Sequence, residues 1–119
     1  NLKDNIMIEI YHNPRCSKSR EALTILESEN VEFKVIKYLD EPISIKKLSE
    51  IIKLLNIKPI ELVRKNESLW KDNFKNSTFT DKELIDIMVK NPKLIERPIV
   101  INGNKAVIGR PPQLLLDII

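Results

Sequence analysis

The 119 residues, 42% hydrophobic and 31% charged, suffice for one domain that buries its own core without disulfides or metal. The single cysteine excludes an internal disulfide, and no secretory apolar region or run of membrane length is present, so a reducing, cytoplasmic setting with no membrane partner is expected. Twenty basic against 17 acidic residues give a net charge of +3, but lysines are interspersed with acids along the predicted helices and no aromatic stacking platform appears, which argues against a nucleic-acid partner.

With 2 glycines and 5% aromatic residues, the core must be built largely of Ile, Leu and Val. Residues 1–6 read as an extension ahead of Met7. An apolar run predicts a strand over about 6–11, followed by a loop carrying His12 and Pro14 and a helix over about 17–29 with Ala22, Leu23 and Leu26 on its apolar face. Val31, Phe33 and Val35 alternate with Glu32 and Lys34, the pattern of a second strand with one face buried, which ends at Asp40-Glu41-Pro42. Ser44 is placed to cap a helix whose Leu48, Ile51, Ile52 and Leu55 form an amphipathic stripe. Pro59 opens a short helical segment reaching Arg64-Lys65-Asn66, and the stretch 67–77 has no readable period. Thr80-Asp81-Lys82-Glu83 is a capping box for a helix carrying Leu84, Ile87 and Met88 inward, closed by Asn91-Pro92. Two apolar runs flank Asn102-Gly103-Asn104-Lys105, a hairpin signature, and Pro111-Pro112 start a last helix with Leu114, Leu115 and Ile118 inward.

The order is β-α-β, a helical insert, then β-β-α. A right-handed crossover makes strands one and two parallel, and the closing hairpin is antiparallel. The expected fold is α/β: a thioredoxin-like mixed four-stranded sheet flanked by helices, with the helical insert between strands two and three, as a single domain over 1–119.

Cys16 falls where the first strand turns into the first helix. There the helix dipole and unpaired backbone N–H groups favour a thiolate, and Arg15, Lys18 and Arg20 add charge close in sequence. A free cysteine is more often a small buried hydrophobe, but this one lies in a polar, basic segment. Cys16-Ser17-Lys18-Ser19 is C-x-x-S, and the serine cannot resolve a disulfide, so a redox cycle needs an external thiol such as glutathione. Arg64, Arg97 and Arg110 all lie at element ends, and prolines follow two of them; a guanidinium fork matches a tetrahedral oxyanion. One cysteine and one histidine make no metal cluster, and neither metal nor a tightly bound cofactor is expected.

His12-Asn13-Pro14-x-Cys16, Arg64-Lys65-Asn66, Glu96-Arg97-Pro98-Ile99-Val100 and Gly109-Arg110-Pro111 occur in that order. In this the chain closely resembles the glutaredoxin-linked arsenate reductase (ArsC) family, from Met7 to Ile119. The resemblance implies that Cys16 is the nucleophile, that Arg64, Arg97 and Arg110 hold arsenate and its adduct, and that glutathione is the co-substrate and glutaredoxin the partner; a monomer is expected. It also implies a cis Arg97-Pro98 bond, a supporting role for His12 in the active-site loop or on the thiolate, and matching positions for Ser19 and Arg20. Ser17-Lys18 stand where the well-known reductases carry Gly-Thr, the version of a related HNPRCSKSR branch, which leaves the physiological oxyanion open.

Alternatives differ in identifiable residues. A C-x5-R phosphatase loop requires arginine where this chain has Ala22. An Spx-like redox regulator of RNA polymerase usually carries C-x-x-C, against Ser19 here. A glutathione-dependent thiol-transfer protein without arsenate activity has no evident need of three arginines.

Overall fold

The structure, a computed structural model, describes residues 7–119, so the reading of 1–6 as an extension lies outside the described residues. The described residues form two compact units: the first takes in residues 7–41 together with Arg97–Ile119, and the second is Pro42–Glu96.

The first unit contains β1 (Ile8–Tyr11), α1 (Ser17–Ser28), β2 (Phe33–Ile36), β3 (Ile99–Asn102) and β4 (Lys105–Ile108) in a mixed sheet of order β2-β1-β3-β4. β1 and β2 are parallel, with Ile8 opposite Phe33 and Tyr11 opposite Ile36, as a crossover through α1 requires. β3 runs antiparallel to both β1 and β4. Gly103, at φ 63°, turns the β3–β4 hairpin, a conformation glycine adopts without the Cβ clash other residues meet.

Ile8 and Ile10 of β1 and Val100 of β3 point to one face of the sheet, where they meet Ala22 and Leu26 of α1 and Leu115. Full burial of each of the larger side chains stabilises the fold by about 1.5–3 kcal/mol. The C-terminal segment differs from the expected α-helix. Pro112–Asp117 is a 3₁₀ helix, whose three-residue turn aligns Pro112, Leu115 and Ile118, so Leu114 faces outward at 37% exposure.

This topology gathers three chain segments at one end of the sheet. β1 ends at Tyr11, opposite Ile99 at the start of β3, and Ile99 in turn faces Ile108 at the end of β4. The loop 12–16, Arg97-Pro98 and Gly109-Arg110 therefore all leave the sheet side by side.

The second unit comprises α2 (Ile45–Leu55), α3 (Ser68–Asn73), α4 (Asp81–Lys90) and 3₁₀ turns at Pro59–Leu62 and Pro92–Leu94. Ser44 Oγ accepts from the Lys47 N–H, and Asn56 closes α2 in the left-handed conformation. Thr80 and Glu83 form the capping box in both directions, at 3.1 and 2.8 Å. Leu48, Ile51, Ile52, Leu84 and Met88 are buried, whereas Ile87 is only partly so. α3, six residues long, is too short to show a period; it holds Trp70 against Phe74 and Phe79, with ring centroids 5.6 and 6.2 Å away.

Candidate active site

The loop before α1 is tied to the helix it precedes. The Asn13 carbonyl accepts from the Cys16 N–H at 3.0 Å, and Asn13 Oδ1 accepts from the Arg15 N–H at 3.0 Å, so one asparagine closes the turn around Pro14. Ser19, fully buried in the first turn of α1, accepts from the Asn13 N–H at 3.0 Å and lies 2.7 Å from His12 Nδ1. Arg20 Nη1 donates to the Pro14 carbonyl at 2.9 Å. The loop is thereby held from both sides of Cys16.

Burial pushes the His12 pKa below its ordinary value, and the charges of Lys37 and Arg20 add to that, against an opposing pull from Ser19. A neutral imidazole is the form such surroundings favour, and the hydrogen bond it makes goes to Ser19. Of the two roles the resemblance leaves for His12, this geometry matches support of the loop. Replacing Ser19 by Ala removes the partner of the buried His12 Nδ1 and of the Asn13 N–H at once. Ser19→Ala is expected to lower stability in urea by about 1–3 kcal/mol, and a loss below about 0.5 kcal/mol would show that the serine does not organise the loop.

Cys16 occupies the N-cap of α1 in an extended conformation (φ −94°, ψ 122°) and is 8% exposed. Its Sγ lies 3.7 Å from Arg110 Nη1, and the same nitrogen donates to the Arg97 carbonyl at 3.3 Å. Burial by itself pushes the thiol pKa up. The N–H dipole of Ser19, the charge of Arg97, the N–H of Lys18 and the Arg110 guanidinium outweigh it, and the net shift is downward. The polar sequence context of Cys16 does not make it exposed: it is enclosed, but by donors and cations.

The neighbouring cations of the sequence do other work. Lys18 pairs with Glu21 at 3.7 Å, Arg20 faces Pro14, and the guanidinium groups that favour the thiolate come from positions 97 and 110. The Arg97-Pro98 peptide bond is cis, as is Arg110-Pro111. Arg64 belongs to the second unit, where its Nη1 donates to the Lys93 carbonyl at 3.1 Å and lies 3.4 Å from Glu67 Oε1. Ser17 starts α1 with right-handed backbone. Positive φ among the described residues is confined to Asn30, Asn56 and Gly103, so the backbone at 17 makes no demand for glycine.

Two participants escape a residue-by-residue reading. Asn13 does so although an Asn-Pro pair is a turn signal. Gly109 does so because its close neighbour, Pro98, is eleven positions away in sequence. Among the described residues no group of three or more His, Cys, Asp and Glu side chains could hold a metal ion, and no helix is long and apolar enough to cross a membrane. A depression of about 430 Å³ in the second unit, lined by Ile60, Lys65, Trp70, Lys71, Lys75 and Ser77, offers neither a thiol nor an acid–base pair.

The ArsC family model matches residues 11–118. The uncharacterized protein YfgD of Escherichia coli K12 is 46% identical over 114 residues, which cover 94% of this chain and 96% of that one. An arsenate reductase of Haemophilus influenzae is 43% identical over 112 residues, covering 92% and 97%. Among solved structures, the arsenate reductase from Vibrio cholerae superposes with a TM-score of 0.90 at 40% identity, covering 96% of this chain and 98% of that one.

Proposed function

Because the chain belongs to the ArsC family, we propose that it reduces arsenate to arsenite through Cys16, with glutathione and glutaredoxin as electron donors in the cytoplasm. The observation that carries this reading is the Cys16 sulfur at the head of α1, with its pKa lowered and the Arg110 guanidinium 3.7 Å away.

Arsenate is a tetrahedral anion, and the positive end of α1 together with Arg97 and Arg110 suits its charge and shape. For Arg64 as a third holder the support is the Arg64-Lys65-Asn66 motif. The Cys16 thiolate attacks arsenic, an S–As bond forms, one As–O bond breaks, and the oxygen leaves as water or hydroxide. Arginines beside the sulfur stabilise the negative charge that gathers on the arsenic oxygens as the leaving oxygen departs.

Reduction then needs two electrons. This chain has one cysteine, and position 19, which would hold a resolving thiol, is a serine engaged with His12 and Asn13. The electrons must therefore come from thiols outside the chain. The glutathione thiolate attacks the Cys16 sulfur of the adduct, an S–S bond forms as the S–As bond breaks with its electron pair left on arsenic, and arsenic passes from the +5 to the +3 state and leaves as arsenite. The glutaredoxin thiolate then attacks the glutathione sulfur of the Cys16–glutathione disulfide, and Cys16 returns as a thiol. In sum, arsenate and two thiols give arsenite, one disulfide and one water.

The test is arsenate-dependent NADPH oxidation by the purified protein with glutathione, glutathione reductase and glutaredoxin. Oxidation that requires both arsenate and glutaredoxin is expected. No oxidation above the protein-free rate would overturn arsenate as substrate, and oxidation that persists without glutaredoxin would remove that partner alone.

A further inference from the structure

We infer that Gly109 is a positioning residue: its lack of a side chain lets the end of β4 close onto Pro98, and that closure sets Arg110 against the Cys16 sulfur.

A Cβ built on Gly109 would lie 2.9 Å from Pro98 Cγ and 3.6 Å from Pro98 Cδ. These are atoms of a proline ring, whose closed geometry fixes the backbone torsion and leaves little room to swing aside, unlike the end of a flexible side chain. Pro98 is also buried, so it has no open space to retreat into. On the other edge of the contact Gly109 donates its N–H to the Pro98 carbonyl at 2.8 Å. The residue is thus pinned to residue 98 by a short hydrogen bond on one side and by direct ring contact on the other.

The next residue carries the consequence. Arg110 reaches the Arg97 carbonyl at 3.3 Å and the Cys16 Sγ at 3.7 Å, both near the outer limit of useful contact. A displacement of a few tenths of an ångström, which any side chain at 109 forces, breaks them. Nothing else in the site needs a glycine here. Gly109 is outside the positive-φ residues of the chain, so close approach to Pro98, not backbone conformation, is what the position demands.

The charged and donor groups acting on Cys16 are the Ser19 and Lys18 N–H groups from α1, Arg97 from the segment before β3, and Arg110 from the segment after β4. The last two are joined through Gly109 and Pro98, whereas the first two belong to the helix and are independent of them. Loss of the latch therefore weakens the Arg110 contribution and leaves the helix contribution intact.

The measurement is the rate of Cys16 alkylation by iodoacetamide as a function of pH, in the wild type, Gly109→Ala, Arg110→Ala and the double variant. A single cysteine makes the signal specific. Gly109→Ala is expected to raise the apparent Cys16 pKa by about one unit, a roughly tenfold loss of thiolate at a pH below both values. In the Arg110→Ala background the same change is expected to move the pKa little, because the path runs through that arginine. A folded Gly109→Ala protein with the wild-type profile overturns the inference, and so does a full additional shift on top of Arg110→Ala. A purely structural glycine would lower the melting temperature without moving the profile. If Gly109→Ala is unfolded in buffer, the titration is made in 1 M trimethylamine N-oxide, which favours the compact state. The inference rests on Cys16 being the reacting group, but its readout is the thiol itself. A shifted profile without arsenate reduction would sink the proposed substrate and keep the latch, and arsenate reduction with an unshifted profile would do the reverse.

Discussion

Cys16→Ser is expected to abolish arsenate-dependent NADPH oxidation, with a loss of at least about a thousandfold. The reason lies in what the surroundings of position 16 can ionise. The N–H dipoles of Ser19 and Lys18 and the charges of Arg97 and Arg110 bring a thiol below its ordinary value, but a hydroxyl starts far above it and stays protonated in the same place. An oxygen also cannot take part in the thiol exchange that delivers two electrons. The fold should survive the change. Cys16 stands at the N-cap of α1 without closing a side-chain capping bond, and serine is among the best residues for that position. Cys16→Ser is therefore expected to fold, with a melting temperature close to that of the wild type, while being inactive. Residual activity above a few per cent would mean that another group attacks arsenic.

The second large effect is expected at Arg97. Its charge is the foremost of the side-chain contributions favouring the Cys16 thiolate, and its carbonyl receives Arg110. In the proposed reaction Arg97 holds the oxyanion, and loss of a charged contact of that kind costs about 1.5–3 kcal/mol, so Arg97→Ala should raise KM for arsenate on the order of 10- to 150-fold. It also removes a reason for the thiol to ionise, so the acidic limb of the kcat/KM profile should move to higher pH. The sign follows from the downward shift of Cys16. The thiolate stabilises the folded protein above the unfolded thiol's pKa, and that contribution is lost as pH falls through the lower folded value; with the folded value raised, the contribution is smaller in the variant and its loss is complete at a higher pH. Initial rates over a range of arsenate concentrations at several pH values measure both effects. An unchanged KM would remove Arg97 from substrate binding, and an unchanged acidic limb would remove it from thiol activation.

Much of the fold was legible because it rests on local patterns. Val31, Phe33 and Val35 alternate, Leu48, Ile51, Ile52 and Leu55 recur with the helical period, and Thr80 and Glu83 form a reciprocal cap, and the corresponding elements are present. α3 was not legible, since six residues hold less than two turns and its Trp70–Phe74–Phe79 packing spans a loop. The C-terminal segment was legible as helical but not as 3₁₀, and only the tighter turn accounts for the outward Leu114.

The candidate site divides along the same line. By itself the sequence determined that a lone cysteine sits at a strand-to-helix junction, that no second thiol accompanies it, and that arginines followed by prolines lie at element ends, because each of these is a matter of residue type and neighbouring positions. Which cations act on the sulfur was decided only by tertiary structure. Arg15, Lys18 and Arg20 are close in the chain, yet Lys18 turns to Glu21 and Arg20 to Pro14, while Arg97 and Arg110 arrive from far along the chain. The antiparallel pairing of β3 with β1 and β4 brings their ends together, and a Coulomb or hydrogen-bond interaction depends on distance in space, to which distance along the chain is no guide.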